Sequence, residues 1–234
     1  MGFYMGRITW YGHACTLVEL DGVKVLVDPW VTNPSSPYKS VEDFVKDVVS
    51  VDYVVVTHDH GDHVGNAVEL LQMFKNSKLV GIYELANELG SRVGSDRVVG
   101  ANIGGPIRLG RVTAVLTPAH HSSSIGHPTG VVLIGSEGGV YHAGDTGLVA
   151  ELTLLKELYN ITVALLPIGG HFTMGVKEAV KATELLRPKY VIPIHYNTFD
   201  VIMTDPEEFK RGVEGLGIGT KVVVLRPGEE FTFK

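Results

Sequence analysis

Cysteine is almost missing from this chain of 234 residues. Cys15 stands alone, so no disulfide can close within it, and a reducing, cytoplasmic setting is the expectation. Cys15 sits in an apolar stretch and reads as a small buried hydrophobe. Basic charge is also short. Lys and Arg number 20 against 26 Asp and Glu, for a net charge of −6 and a sequence pI near 5.9. No broad cationic footprint for nucleic acid exists, so any such contact would need a local basic groove. No apolar run reaches the roughly 20 residues a membrane-spanning helix needs. Residues 1–7 hold no apolar core of signal-peptide length, and Gly6 stands where a myristoylation signal built on Gly2 would want Ser or Thr. Met5 is an alternative start. A soluble protein with a small-molecule substrate, no membrane contact and no nucleic-acid partner is expected, and a homo-oligomer is compatible with it.

What is present is a chain 44% apolar and 20% charged, enough for a sizeable core in one domain spanning 1–234. The chemistry concentrates in Thr57-His58-Asp59-His60-Gly61-Asp62-His63. The apolar run Tyr53-Val54-Val55-Val56 before it reads as a buried strand, and a helix is expected over 64–74. The cluster therefore lies on a loop leaving the C-terminal end of a strand, where open α/β proteins place their ligands. The segment is internal and not repetitive, which argues against a low-complexity tract. Imidazole nitrogen and carboxylate oxygen together suit zinc, manganese or iron.

The rest of the chain reads as strands followed by strand-helix units, twice over. Strands are expected over 7–10, 15–20 and 23–27, with Asp21-Gly22 as a hairpin turn. Ser40 is a plausible cap for a short helix after it. A strand over 79–82, a helix over 84–89 and a short strand at Val98-Val99 complete the first half. Antiparallel strands follow over 107–109, 112–116, 129–134 and 139–142. Helices are expected over 148–158, 176–186 and from Pro206, alternating with strands over 162–166, 190–194 and 221–225. A last strand spans 230–233. Two sheets packed face to face, with helices outside, fit this order.

A metal site needs ligands beyond one loop. Three later strand ends each supply a candidate: Thr117-Pro118-Ala119-His120-His121, Gly144-Asp145-Thr146 and Pro193-Ile194-His195.

With these residues in order, the sequence resembles the metallo-β-lactamase superfamily. Finer motifs are Trp10-Tyr11-Gly12-His13, Asp28-Pro29, Pro118-Ala119-His120-His121-Ser122-Ser123-Ser124 and Pro167-Ile168-Gly169-Gly170-His171-Phe172-Thr173-Met174. These are similar to metal-dependent hydrolases near the L-ascorbate-6-phosphate lactonases and the N-acyl-phosphatidylethanolamine phospholipase D enzymes. The resemblance implies an α/β (α+β) chain folded as a four-layer αββα sandwich of two mixed β-sheets. It also implies two divalent metal ions, zinc first, with manganese or iron(II) as alternatives. His58, His60 and His121 would hold one ion, Asp62, His63 and His195 the other, and Asp145 would bridge them. A Pro-Ala-x-His spacing favours His121, whereas the Thr-Pro-x-His spacing of other members favours His120.

Two metals about 3.5–4 Å apart hold a hydroxide near neutral pH and polarise the bond attacked. The resemblance therefore implies hydrolysis of a small ester, lactone or phosphodiester. Nuclease or cyclic-nucleotide phosphodiesterase action on the same site, or metal binding without turnover, are the alternatives. No long basic insertion like that of RNA-processing members is present. Asp62 is the central catalytic candidate. His13 and His171 lie in motifs the family places near the metals, as substrate contacts, proton donors or structural histidines. Asp28 is either an acceptor for a ligand histidine or a plain turn residue before Pro29. Asp59 is expected to face away from the metals. His127 and His142 read as structural. Phe172, Met174, Trp30 and Phe199 divide between core and pocket mouth, and Asn197-Thr198-Phe199 is a further pocket candidate.

Overall fold

Period-two alternation builds both sheets. Along β3 (Val23–Val27), Val25 and Val27 enter an apolar layer shared with the second sheet, while Leu26 faces the other way. In β4 (Tyr53–Val56) the pattern repeats, with Val55 inward and Val54 and Val56 outward. The computed structural model describes residues 5–234, so the readings of Gly2 and of the segment before Met5 lie outside the described residues.

The first sheet also contains β1 (Gly6–Trp10), β2 (Thr16–Leu20), β5 (Lys78–Ile82), β6 (Val98–Ala101) and, returning from the chain's end, β14 (Glu230–Phe233). Its order is β14-β1-β2-β3-β4-β5-β6, antiparallel from β14 to β3 and parallel from β3 to β6. The second sheet has β7 (Pro106–Leu109), β8 (Val112–Pro118), β9 (Thr129–Gly135), β10 (Gly138–His142), β11 (Ile161–Pro167), β12 (Tyr190–Ile194) and β13 (Lys221–Val222). It runs antiparallel from β7 to β10 and parallel from β10 to β13. Each sheet is thus mixed in the same way.

The helices lie outside. α1 (Val41–Asp47), α2 (Gly61–Val64), α3 (Ala67–Met73) and α4 (Tyr83–Gly90) belong with the first sheet, where Phe44, Leu70, Leu71 and Leu85 meet Leu26, Val54 and Leu79 in one buried cluster. α5 (Leu152–Leu158), α6 (Val176–Leu186) and α7 (Pro206–Gly215) add Leu152, Ala179, Ala182 and Phe209 to the cluster of the second sheet. Ser40 and Asp205 cap α1 and α7 through their side chains, as their positions before the helices require.

Three expected elements differ. The helix expected over 64–74 is broken into α2 and α3 at Gly65, whose φ is +44°. A Cβ there would sit 2.5 Å from Trp30 Cα, so only glycine allows this close approach, and Asn66 then donates its N–H to Pro29 O. The helix expected from 148 starts at Leu152, because Gly147 is instead tied to His120 O. The strand expected over 221–225 narrows to Lys221–Val222, with one further bond from Val223 N to Val191 O.

The C-terminal ends of β1, β3, β4, β8, β10 and β12 converge on one edge of the sandwich. Hydrogen bonds stitch the sheets together there. His195 N–H donates to His13 O at 2.9 Å, Thr129 N–H to Thr57 O at 3.0 Å, and His142 Nε2 to Ala14 O at 2.9 Å.

Candidate metal centre

Each of those strand ends delivers one or more polar side chains to the same point. β4 runs straight into the histidine-rich loop. α2 is a single turn that carries Asp62 and His63 inward. His13, Asp28 and His195 follow β1, β3 and β12 with left-handed backbones, φ 51°, 48° and 53°. Such conformations cost about 1–3 kcal/mol each for a residue with a Cβ and cluster where geometry is dictated by function.

The first group is three imidazoles. His58 Nε2 lies 3.0 Å from His60 Nδ1, and His121 Nε2 lies 3.2 Å from the same atom. Three ring nitrogens meet at one point, which suits a shared cation. The second group brings Asp62, His63 and His195 together with His13, one ligand atom of each within 4.8 Å of the others. Asp145, buried between the groups, places its carboxylate oxygens 3.2 Å from His63 Nε2, 3.1 Å from His195 Nε2 and 3.5 Å from His121 Nε2.

These contacts do not satisfy the atoms that make them. His63 Nε2, Asp145 Oδ1 and both ring nitrogens of His195 are buried without a hydrogen-bond partner. Leaving such groups unpaired costs about 1–3 kcal/mol each, and a bound metal would remove that cost. Nitrogen and carboxylate donors in this mix fit zinc or a similar divalent ion. The donor set therefore fits the metals that the sequence suggests.

Electrostatics follow from burial and the carboxylates. Burial pushes the His58 imidazole down to about 3 and that of His13 to about 4, so both are neutral. Burial also opposes charge on His63, but Asp145 and Asp28 outweigh it and hold that ring protonated well above its ordinary value. Burial likewise opposes ionisation of Asp145, yet His63 and His195 keep its carboxyl well below the usual range. Asp62 is also held low against burial, through its bond from His13 and the charge of His63.

A supporting layer fixes ring orientation. Asp28 is fully buried and accepts from His63 Nδ1 at 2.7 Å and from Thr57 N–H and Oγ1 at 2.8 Å. Because the Thr57 hydroxyl spends its proton on Asp28, its oxygen is left to accept from His58 Nδ1, 3.0 Å away. His58 thereby presents an Nε2 lone pair to the cluster, and His63 would do so once a metal displaces its Nε2 proton. Asp59 faces away, as expected, and accepts from Ser123 Oγ and Ser124 N–H, fastening the loop that carries His121.

Of the sequence candidates, the structure gathers His58, His60, Asp62, His63, His121, Asp145, His195 and His13. His120 is exposed. Its N–H donates to Thr146 Oγ1 and its carbonyl accepts from Gly147, which leaves His121 facing the cluster. His171 is exposed, stacks edge-on against Phe172 at 4.4 Å, and does not line the cavity. His142 is buried and bonded to backbone on both ring nitrogens, and His127 is exposed. Met174 is core, while Phe172 and Phe199 line the cavity and Trp30 stacks on Phe199. Thr57 had no assigned role in the sequence. Of the pocket candidate Asn197-Thr198-Phe199 only Phe199 lines the cavity; Thr198 instead places its Oγ1 2.9 Å from His13 Nδ1.

A cavity of about 440 Å³ opens over His60, Asp62, His121, Asp145 and His195. Residues 23–196 match the model of the family described as the beta-lactamase superfamily domain. A UPF0173 metal-dependent hydrolase of Hyperthermus butylicus is 54% identical over 98% of this chain and 100% of its own length. That of Thermofilum pendens is 56% identical over 96% of this chain and 98% of its own. The structure of a metallo hydrolase from the hyperthermophilic archaeon Ignicoccus hospitalis superposes with a TM-score of 0.92, at 46% identity, covering 99% of each chain.

Proposed function

This chain belongs to the UPF0173 metal-dependent hydrolases of the beta-lactamase superfamily, and from that premise we propose that it cleaves a small ester, lactone or phosphodiester at a dinuclear centre. His58, His60 and His121 would hold one ion, Asp62, His63 and His195 the second, and Asp145 would bridge them. The observation that carries this is the set of buried donors around Asp145 that find no partner within the protein. When bound, a pair of divalent ions supplies hydroxide near neutral pH and polarises the bond under attack.

The chain's own residues do the remainder. Asp28 and Thr57 fix the tautomers of His63 and His58. Neutral His13 donates from Nε2 to Asp62 Oδ2 at 3.0 Å and accepts from the Thr198 hydroxyl at Nδ1. His13 is therefore a positioning residue: it holds the same Asp62 oxygen, Oδ2, that stands 3.9 Å from His63 Nε2 and from His195 Nε2. No step is assigned to His171. The likeness to L-ascorbate-6-phosphate lactonases and N-acyl-phosphatidylethanolamine phospholipase D belongs to the same reading, on the motifs ending at His13 and beginning at Pro118.

The test combines elemental analysis with an activity screen of bis(p-nitrophenyl) phosphate against a panel of lactones, in zinc and in manganese. Two ions per chain, and turnover lost in Asp62→Ala, are expected. Clearly less than two ions, or equal turnover in the variant, would sink the proposal.

A further inference from the structure

The cavity over the histidine cluster has two unlike parts. Its charged lining residues are the carboxylates Asp62 and Asp145; among the described residues no lysine or arginine lines it. Its other notable lining is aromatic. Phe172 and Phe199 are 53% and 37% exposed, large rings left uncovered at the mouth.

That exposure is built in. The turn bearing Phe172 is closed by Gly170 N–H to Met174 O at 3.0 Å and anchored by Met174 N–H to Thr146 O at 2.9 Å, next to Asp145. Phe199 sits in a second closed turn, with Asn197 N–H to Ile202 O at 3.0 Å and Thr204 N–H to Asn197 Oδ1 at 2.7 Å. Its ring also stacks on Trp30 at 5.9 Å and meets His13 edge-on at 5.4 Å. Two anchored loops thus hold apolar rings beside the reacting centre, where a small molecule in a cavity of about 440 Å³ would cover them.

A substrate with charge remote from its scissile bond, such as a sugar phosphate, needs a cation to receive that charge. Here it would meet phenyl rings, and desolvating an unpaired charge against them is unfavourable. Resting on the hydrolase reading above, we propose that the substrate carries an uncharged aryl or branched apolar group. That group packs against Phe172 and Phe199, while the ester or diester faces the histidines. The site selects for apolar flanks and against remote anionic charge.

Equilibrium binding to the zinc-loaded protein, measured by calorimetry, tests this without turnover. Three phosphodiester probes share one reacting group: diphenyl phosphate, dimethyl phosphate and bis(4-carboxyphenyl) phosphate. Diphenyl phosphate should bind at least about tenfold more tightly than either of the others. Phe172→Ala with Phe199→Ala should erase most of its advantage over dimethyl phosphate and leave dimethyl phosphate itself unchanged. Both rings are partly exposed, so folding should survive, and melting temperature checks that. Equal affinities for the three probes, or an aryl preference that survives the double variant, would overturn the inference. Diphenyl phosphate binding unchanged by chelation would instead fault the metal-centre reading, with the aryl preference still deciding this one.

Discussion

Asp28 and His63, 35 residues apart in sequence, meet with 2.7 Å between carboxylate oxygen and Nδ1, and neither side chain reaches solvent. The same carboxylate takes the hydroxyl proton of Thr57, so one buried acid orients two histidines of different groups, His63 directly and His58 through Thr57. Asp28→Asn keeps the shape and tolerates the left-handed backbone, but lacks the charge. Metal affinity should fall about 10–100-fold. Competition with a chromophoric chelator measures it, and an unchanged affinity would remove Asp28 from the supporting layer.

The neighbouring histidines of the 118–124 loop should behave oppositely. His121→Ala should lower metal content from about two ions per chain toward one, whereas His120→Ala should leave it intact. Elemental analysis of both variants decides the matter; the reverse pattern would reassign the ligand.

His13 touches Asp62 and none of the first group's nitrogens at hydrogen-bond distance. His13→Asn should therefore weaken the ion held by Asp62, by about tenfold, and spare the other. Thr198→Val should reproduce part of the effect. A metal titration in which both ions weaken equally would contradict a positioning role for His13.

The pH response of metal-free protein follows from opposite shifts. His58 and His13 are buried neutral, with pKa values lowered from 6.5 to about 3 and about 4. Their stabilisation is complete above 6.5 and is lost as pH falls through those folded values, because the unfolded chain binds protons first. His63 is raised, so its contribution is complete below 6.5 and is lost as pH rises through its elevated folded value. Chelated protein should thus melt highest near neutrality and fall off on both sides. Metal, by displacing the His63 proton, should remove the alkaline loss and bind more tightly as pH rises. Melting curves with and without chelator test this, and a flat acid limb between 6.5 and 4 would contradict it.

Gly144 precedes Asp145 with φ +59°, and a Cβ there would stand 2.6 Å from Thr129 O. Gly144→Ala should destabilise the metal-free protein by about 1–3 kcal/mol through strain and displaced backbone. Urea unfolding measures the change. A loss within error would show that the 143–146 turn yields easily.

Much of this was legible in the chain itself. Alternation in Val23–Val27 and Tyr53–Val56 marks inner and outer faces, because side chains of a strand must point to opposite sides. The spacing of His58, His60, Asp62 and His63 declares a metal-like loop, since all four lie within one turn of a strand end. Helix caps at Ser40 and Asp205 are equally local.

Tertiary structure decided what depends on distant chain. The break at Gly65 comes from Trp30 pressing against it, which no local pattern records. That the His121 ring, not His120, faces the cluster rests on bonds from the 118–124 loop to Thr146 and Gly147. Asp28 changes from a turn residue into the acceptor of a histidine only when β3 and β4 lie side by side. His13 finds Asp62 only when the sheets are stitched edge to edge, as in the bond from His195 N–H to His13 O. Sequence determines which side chains are available and how each element alternates, because those are short-range steric facts. Which donors share a point is set by packing two sheets together, and that is a long-range one.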